Sequence, residues 1–359
     1  MKVSFVLPSL QGGGAEFVTK VWAAGLADQG FETEVVLLRA RQTEPQIDGV
    51  NVIRASTEGA GRRAEMSALR NHLKQSLPDV VVGMMTRANF QVLAVVRTLP
   101  KSQRPRVAIS ERNIPFVEAH HSMAHVMTRD RAFRTLYPRA DAFIAISHSV
   151  GAVFQYAARL DRKRIWVVPN PAIAKSGIGT MTDSVGDGVS VSLVVPARIV
   201  DKKRPRLAIE IADSLTEKLA SIRVIYFGVG DLSETIAGIE RPYPIELRGR
   251  VEHWFDDLPD DAVVLLPSAV EGFGNVLLEA SSRGVPTVVA STAFGSADAV
   301  VPGVSGYFAR ADTVKEFGDA VLRAAALPRN SPTSWLNEFS AENSIAVMTR
   351  LISSLKTGE

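Results

Sequence analysis

Residues 263–290 read VVLLPSAVEGFGNVLLEASSRGVPTVVA, and this stretch limits the possible folds more than any other part of the chain. Residues 263–266 are a short, wholly apolar run, as expected of a strand buried on both faces. Pro267 and Ser268 end it, Gly272 and Gly274 make a turn, and a helical pattern starts near Asn275 before a second apolar run at 285–290. Strand, helix and strand in that order imply a parallel sheet covered by helices, because parallel neighbours need a crossover. The turn also makes an anion site. First-turn N–H groups and the positive helix end favour a phosphate, and glycine lets a ligand approach the backbone. Glu271 in the turn and Glu279 about one turn into the helix frame it. Carboxylates beside a phosphate suit a ligand that also carries hydroxyls, since an ionised carboxylate accepts hydrogen bonds from a cis-diol. A nucleotide-sugar has such diols on both sides of its diphosphate.

The same alternation runs along the whole chain. Strands are expected at 3–7, 33–38, 50–55, 79–84, 106–110, 141–147 and 164–171, with helices at 17–28, 65–75, 89–97 and 150–158. A stretch at 174–188 is rich in Gly, Ser and Thr and poor in apolar residues, the composition of a linker. The pattern then restarts, with strands at 189–195, 223–230 and 285–290, helices at 206–220 and 314–327, and a last helix at 341–355. With 359 residues there is enough chain for two cores. The expected division is a first Rossmann-like domain at 1–172, a linker at 173–188, a second such domain at 189–338 and a terminal segment at 339–359.

Charge is divided unevenly. Residues 1–170 hold 23 Lys and Arg against 14 Asp and Glu, and the remainder holds 18 against 24. A basic first half suits an anionic partner, whether a membrane surface, a lipid-linked acceptor or nucleic acid. Residues 118–139 interleave His120, His121, His125, Arg129, Arg131 and Arg134 with apolar residues, as a basic amphipathic helix does. His121 and His125 have metal-ligand spacing but no third ligand accompanies them, so no metal site is expected. The absence of cysteine excludes disulfides, thiol nucleophiles and Cys-based zinc sites, and fits a reducing compartment. The N-terminal apolar run ends at Pro8, too short for a signal segment or a membrane span, so a cytoplasmic protein, peripheral on a membrane at most, is expected.

Three further motifs complete a candidate site. Gly12-Gly13-Gly14 follows the first strand, although Phe17 stands where a dinucleotide fingerprint needs its third glycine. Ser110-Glu111-Arg112-Asn113 follows the fifth expected strand, at the edge where open α/β sheets bind ligands. Arg198 and Lys203, five residues apart, lie between strand and helix, where a guanidinium and an ammonium can neutralise a leaving diphosphate.

Together, Arg-x4-Lys, Glu-x7-Glu and the Gly-rich first loop resemble the retaining glycosyltransferases of family 4, which have the GT-B fold of two doubly wound Rossmann-like domains facing a cleft. The Ser-Glu-Arg-Asn loop resembles the branch that builds lipid-linked oligosaccharides and surface polysaccharides. The resemblance implies that the C-terminal helix crosses back to the first domain. It implies that Arg198 and Lys203 hold the donor phosphates, Glu271 the sugar hydroxyls and Glu279 the ribose. Gly13 and Gly14 would lie beside the diphosphate, with Gly272, Phe273, Gly274 and Asn275 around the sugar and Gly228, Arg250 and Val251 near the base. Many family members carry a histidine where this chain has Glu111 and Arg112, so Glu111 becomes a candidate for contact with the acceptor or its proton. The implied reaction moves a hexose or N-acetylhexosamine from a UDP- or GDP-sugar to a glycan or polyprenyl-diphosphate-linked acceptor. No Asp-x-Asp occurs, so no metal is expected on the diphosphate. Two rival readings are a nucleotide-sugar epimerase of similar architecture, for which Glu-x7-Glu is the wrong signal, and a nucleic-acid-binding protein, for which no recognition motif is present.

Overall fold

A computed structural model describes residues 1–114, 123–179 and 190–357. It contains two compact units, Met1–Pro171 with Ala341–Glu359, and Ala172–Ser340. In the first unit, seven strands form one parallel sheet: β1 (Lys2–Leu7), β2 (Glu32–Leu37), β3 (Asn51–Arg54), β4 (Val80–Met84), β5 (Arg106–Glu111), β6 (Ala142–Ala145) and β7 (Ile165–Val167). Their order, β3-β2-β1-β4-β5-β6-β7, reverses between β1 and β4. Central strands such as β4, Val-Val-Val-Gly-Met, are buried at every position, which is why they read as continuous apolar runs.

The C-terminal helix, Ala341–Thr357, belongs to this unit and packs on the helix Gly14–Asp28. Met348, Leu351 and Ile352 recur at helical spacing and are fully buried against the cluster containing Phe5, Trp22 and Leu26. The indole of Trp22 donates to Ser344 Oγ at 2.8 Å, and Ser344 donates in turn to the Pro169 carbonyl at 2.5 Å. A polar thread thus runs through an apolar seam, fixing the helix in one position.

The second unit has six parallel strands: β8 (Ser190–Val195), β9 (Ser221–Tyr226), β10 (Ile245–Leu247), β11 (Ala262–Leu266), β12 (Thr287–Val289) and β13 (Gly306–Phe308). Their order, β10-β9-β8-β11-β12-β13, is the dinucleotide-fold order with its reversal between β8 and β11. Several elements end earlier than expected, for local reasons. The helix Pro205–Asp213 stops because Ser214 and Thr216 return their hydroxyls to the carbonyls of Ile211 and Asp213. β7 stops before Pro169 and Pro171, which have no N–H to give to a ladder. Residues 174–179 of the expected linker belong to this unit, where Ser176 accepts from Ser282 at 2.7 Å. The rest of that linker lies outside the described residues. The segment at 306–308, which the sequence pattern left unassigned between 285–290 and 314–327, is a sixth strand.

Leu351→Ala is expected to cost about 2–5 kcal/mol by leaving a cavity in the seam between the two helices. Guanidinium unfolding followed by a probe in the first unit checks this, with the exposed Arg350→Ala as the near-neutral control.

Candidate functional site

Ligands of open α/β sheets bind outside the carboxyl ends of the strands, where the strand order reverses. In the second unit that point lies between the loops after β8 and β11, and side chains tie these loops together. Lys203, in a 3₁₀ turn at Asp201–Lys203, forms an ion pair with Glu271. The two side chains are only 17% and 11% exposed. The neighbouring residue Arg204 adopts a left-handed conformation, φ 47°, costly for a side chain with a Cβ. Its guanidinium offsets that cost, donating from Nε to the Pro267 carbonyl at 2.5 Å and from Nη1 to both Asp312 oxygens at 2.7 and 2.6 Å. The Ala269 N–H donates to the Lys202 carbonyl at 3.2 Å, closing the two loops on each other.

Arg198 is exposed, and its side chain makes no hydrogen bond or ion pair among the described residues. Beside it, a Cβ at Gly228 would overlap the Ala197 carbonyl, and one at Gly230 would overlap that of Ile199. The glycines let the turn after β9 lie flat on the loop that carries Arg198. The sequence pattern extended that strand to 230; the ladder ends at Tyr226 because this close approach replaces it.

Glu279 is placed by a residue the sequence reasoning missed. Trp254 donates its indole N–H to Glu279 Oε2 at 2.8 Å. Burial pushes the Glu279 carboxyl up from its ordinary value, while Trp254, Lys175 and His253 hold it partly down. Trp254 also packs against Phe227, 6.0 Å between centroids, which joins the loop after β10 to the end of β9. The signal was present as His253-Trp254-Phe255, an aromatic run in an otherwise polar loop. Arg250 and Val251, earlier in that loop, are exposed.

Around the turn, Gly274 has φ 89° and caps the helix Asn275–Ser281, a conformation that favours glycine. That helix is only seven residues long, so its dipole is weaker than the sequence pattern suggested. Asn275 is half-buried and Gly272 is buried. Phe273, expected among the ligand contacts, points into the core instead: it is 2% exposed and packs on Phe339 at 5.5 Å. A large apolar ring is worth more there than beside hydroxyls. The structure therefore pairs Lys203 with Glu271, leaves Arg198 open, and holds Glu279 separately against Trp254.

In the first unit, Gly13 and Gly14 are exposed at the start of the helix Gly14–Asp28, and the Gly13 N–H donates to Glu16 Oε2 at 3.0 Å. Glu16 thus occupies the position at the helix N-terminus that an external anion would otherwise fill. Glu111, expected to touch an acceptor, is instead 1% exposed at the end of β5. It accepts hydrogen bonds from Tyr137, from Thr86 at 2.9 Å and from Asn89 at 2.9 Å. Burial raises its pKa to about 7, with these three donors and the charge of Arg112 opposing. Thr86 and Asn89 belong to the helix Thr86–Val96, whose cap, Met85, has φ 73° and ψ 154°, a region otherwise nearly confined to glycine. The Glu111 cluster clamps this strained turn at the end of β4. Oε1 takes the bonds from Tyr137 and Asn89 and Oε2 that from Thr86, so the buried carboxyl braces the loop. His121 and the side chain of His125 lie outside the described residues. Among the described residues, no three His, Cys, Asp or Glu side chains group as a metal site would, and no helix is long and apolar enough to cross a membrane.

This arrangement, two parallel sheets each reversed next to charged loops, defines a two-domain Rossmann-like protein. Residues 12–172 match the family described as Glycosyltransferase Family 4, and residues 190–326 match Glycosyl transferases group 1. The chain belongs to the family 4-like glycosyltransferases of GT-B fold. It is 29% identical over 175 residues to the phosphatidylinositol N-acetylglucosaminyltransferase gpi3 subunit of Schizosaccharomyces pombe, a match covering 46% of this chain and 37% of that one. The chain spans 20–37% of the length of the curated relatives it matches. Among solved structures it resembles the lipopolysaccharide outer core galactosyltransferase WaaB in its apo form, with TM-score 0.75, 18% identity and 99% of both chains covered. It also resembles Anabaena Alr3699/HepE in complex with UDP-glucose, with TM-score 0.71, 16% identity, and 99% of this chain and 100% of that one covered.

The raised carboxyl of Glu111 has a defined sign in stability. A carboxyl whose folded pKa lies above its ordinary value contributes stability that is complete below that value and is lost as pH rises through the folded one. Between pH 4.5 and about 7, the melting temperature of the wild type is expected to decline more steeply than that of Glu111→Gln, which cannot ionise. Differential scanning calorimetry at several pH values checks this, and parallel curves would show that Glu111 titrates normally.

Proposed function

We propose that the protein is a retaining glycosyltransferase that moves a hexose or N-acetylhexosamine from a UDP- or GDP-sugar to a glycan or polyprenyl-diphosphate-linked acceptor. The observation that carries this reading is the Lys203–Glu271 pair across the strand-order reversal of the second sheet. It places an ammonium for phosphate and a carboxylate for sugar hydroxyls side by side. Support also comes from the relatives' names, an N-acetylglucosaminyltransferase subunit and a structure holding UDP-glucose.

In the reaction, the bond from the anomeric carbon to the diphosphate oxygen breaks and its electrons leave with the diphosphate. Lys203 and the unpartnered Arg198 neutralise that charge, each worth a few kcal/mol in a preorganised site. No metal is needed for this if the two cations take the charge. Glu271 holds the sugar, and Glu279, oriented by Trp254, accepts from the ribose. The acceptor hydroxyl attacks from the face the diphosphate leaves, and its proton passes to a departing phosphate oxygen, so configuration is retained.

The acceptor side carries a second part of the reading, contact with an anionic membrane. Arg131, Arg134, Arg139, Arg159, Arg162, Lys163 and Arg164 are all exposed, and Met127 and Tyr156 stand among them at 67% and 89% exposure. Arg134 donates to the Ala157 carbonyl and Arg164 to those of Pro138 and Ala140, so these segments form one surface. Cations around protruding apolar side chains suit a headgroup layer.

Calorimetric titration with UDP, GDP and ADP in the absence of metal is expected to show one nucleotide binding at micromolar strength, lost in Lys203→Ala and Glu279→Ala. Equal binding by the variants would remove the donor assignment. Co-sedimentation with vesicles containing phosphatidylglycerol is expected to capture the wild type, and replacing Arg159, Arg162, Lys163 and Arg164 by Ser is expected to abolish capture; retention of the substituted protein would sink the membrane reading.

A further inference from the structure

Arg112 follows Glu111 at the carboxyl edge of the first sheet, and its guanidinium is held rigidly without being satisfied. Its plane lies over the Trp22 ring, 4.7 Å from the centroid, and Nη1 donates to Asn170 Oδ1 at 2.7 Å. Nε and Nη2 are buried and have no hydrogen-bond partner among the described residues. These are the two N–H groups that point in parallel from one side of the guanidinium and grip both oxygens of a carboxylate or phosphate. The same edge is used elsewhere in the unit, where Arg87 grips the buried Glu65 through Nε at 3.2 Å and Nη2 at 2.8 and 2.9 Å. An ionic donor buried without an acceptor is costly, and groups left so in a folded protein call for a ligand or a functional reason.

The surroundings fit an external anion. Trp22 gives a flat, rigid support, itself fixed through Ser344. Among the described residues, the acids whose charges act on it are engaged: Glu111 with Tyr137, Thr86 and Asn89, and Glu16 with the Gly13 N–H. No ion pair joins either to Arg112 within the described residues. We propose that the Nε–Nη2 edge of Arg112 binds a two-oxygen anion, a carboxylate or a phosphate, carried by the acceptor substrate. The site stands on the first unit's geometry alone; its assignment to the acceptor rests on the glycosyltransferase reading, with the donor on the second unit. The enzyme would then select acceptors with an acidic group near the accepting hydroxyl, and neutral sugars would bind poorly.

The test titrates the full chain separately with inorganic phosphate, glucuronate and glucose, by calorimetry and tryptophan fluorescence. Wild type, Arg112→Lys, Arg112→Gln and Lys203→Ala are compared, with near-ultraviolet circular dichroism as the folding control. Binding of phosphate or glucuronate but not glucose is expected, weakened at least about tenfold by Arg112→Lys, which keeps the charge but loses the fork, with glucuronate binding unchanged in Lys203→Ala. The stronger of the two anions tells whether a phosphate or a carboxylate is the native group. Absence of anion binding by the wild type, equal binding by Arg112→Lys, or loss of glucuronate binding in Lys203→Ala overturns the proposal. UDP binding by the same samples separates the two readings: anion binding at Arg112 without nucleotide binding removes the donor assignment and leaves this site standing.

Discussion

Lys203 and Glu271 are 68 residues apart in sequence, and their contact depends on one geometric fact, the reversal of strand order between β8 and β11. Crossovers on the two sides of that point leave in opposite directions, so the loops after β8 and β11 face each other with no helix between them. The ion pair, the Arg204 bridge to Pro267 and Asp312, and the backbone bond from Ala269 to Lys202 all occupy that gap. A mostly buried pair of this kind adds little net stability against well-packed apolar residues, yet losing one partner strands the other charge. Its energetic cost to the fold is consistent with the donor contact proposed for the two groups.

Two buried glutamates in the first unit show how differently one side chain type is used. At Glu34, burial acts to raise the carboxyl, but hydrogen bonds from His72, Ser4 and Ser76 outweigh it and hold the group at about 2. At Glu111, which is more deeply buried, burial wins over the bonds from Tyr137, Thr86 and Asn89 and the charge of Arg112, and the group sits at about 7. Glu34 lies on β2, where it ties the helix Arg62–Ser76 to the sheet. Glu111 lies at the carboxyl edge, beside the strained Met85 turn and the buried, unpaired edge of Arg112. The strained backbone and the half-satisfied cation fall together at the ligand edge, the usual place for such departures.

Most of the fold was legible from local pattern. Apolar runs such as Val80–Met84 have no other stable place than a sheet covered on both faces, and the apolar stripe through Met348, Leu351 and Leu355 marks a helix with one buried face. Pattern missed contacts of two kinds. β9 stops at Tyr226 because Gly228 must meet the distant Ala197, whereas the helix Pro205–Asp213 ends on the nearby hydroxyls of Ser214 and Thr216, which outweigh its helical periodicity. In the candidate site, the residues were legible but their relations were not. Phe273 reads like its neighbours in the glycine turn yet belongs to the core, and Glu111 reads as an exposed loop acid yet is a buried clamp. Trp254 carries no motif, and its bond to Glu279 spans 25 residues.

The sequence by itself determined the alternation of strands and helices, the restart that makes two sheets, and the residue types able to meet a diphosphate and a sugar. These follow from periodicity, turn chemistry and charge, which act over a few residues. Only the tertiary structure decided which group meets which: Lys203 with Glu271, Trp254 with Glu279, and Arg112 with a buried edge left unpaired. The reason is that the energy of a charged group depends on its burial and on the partners within a few ångströms, and in a parallel sheet both come from strands that are neighbours in space and distant along the chain.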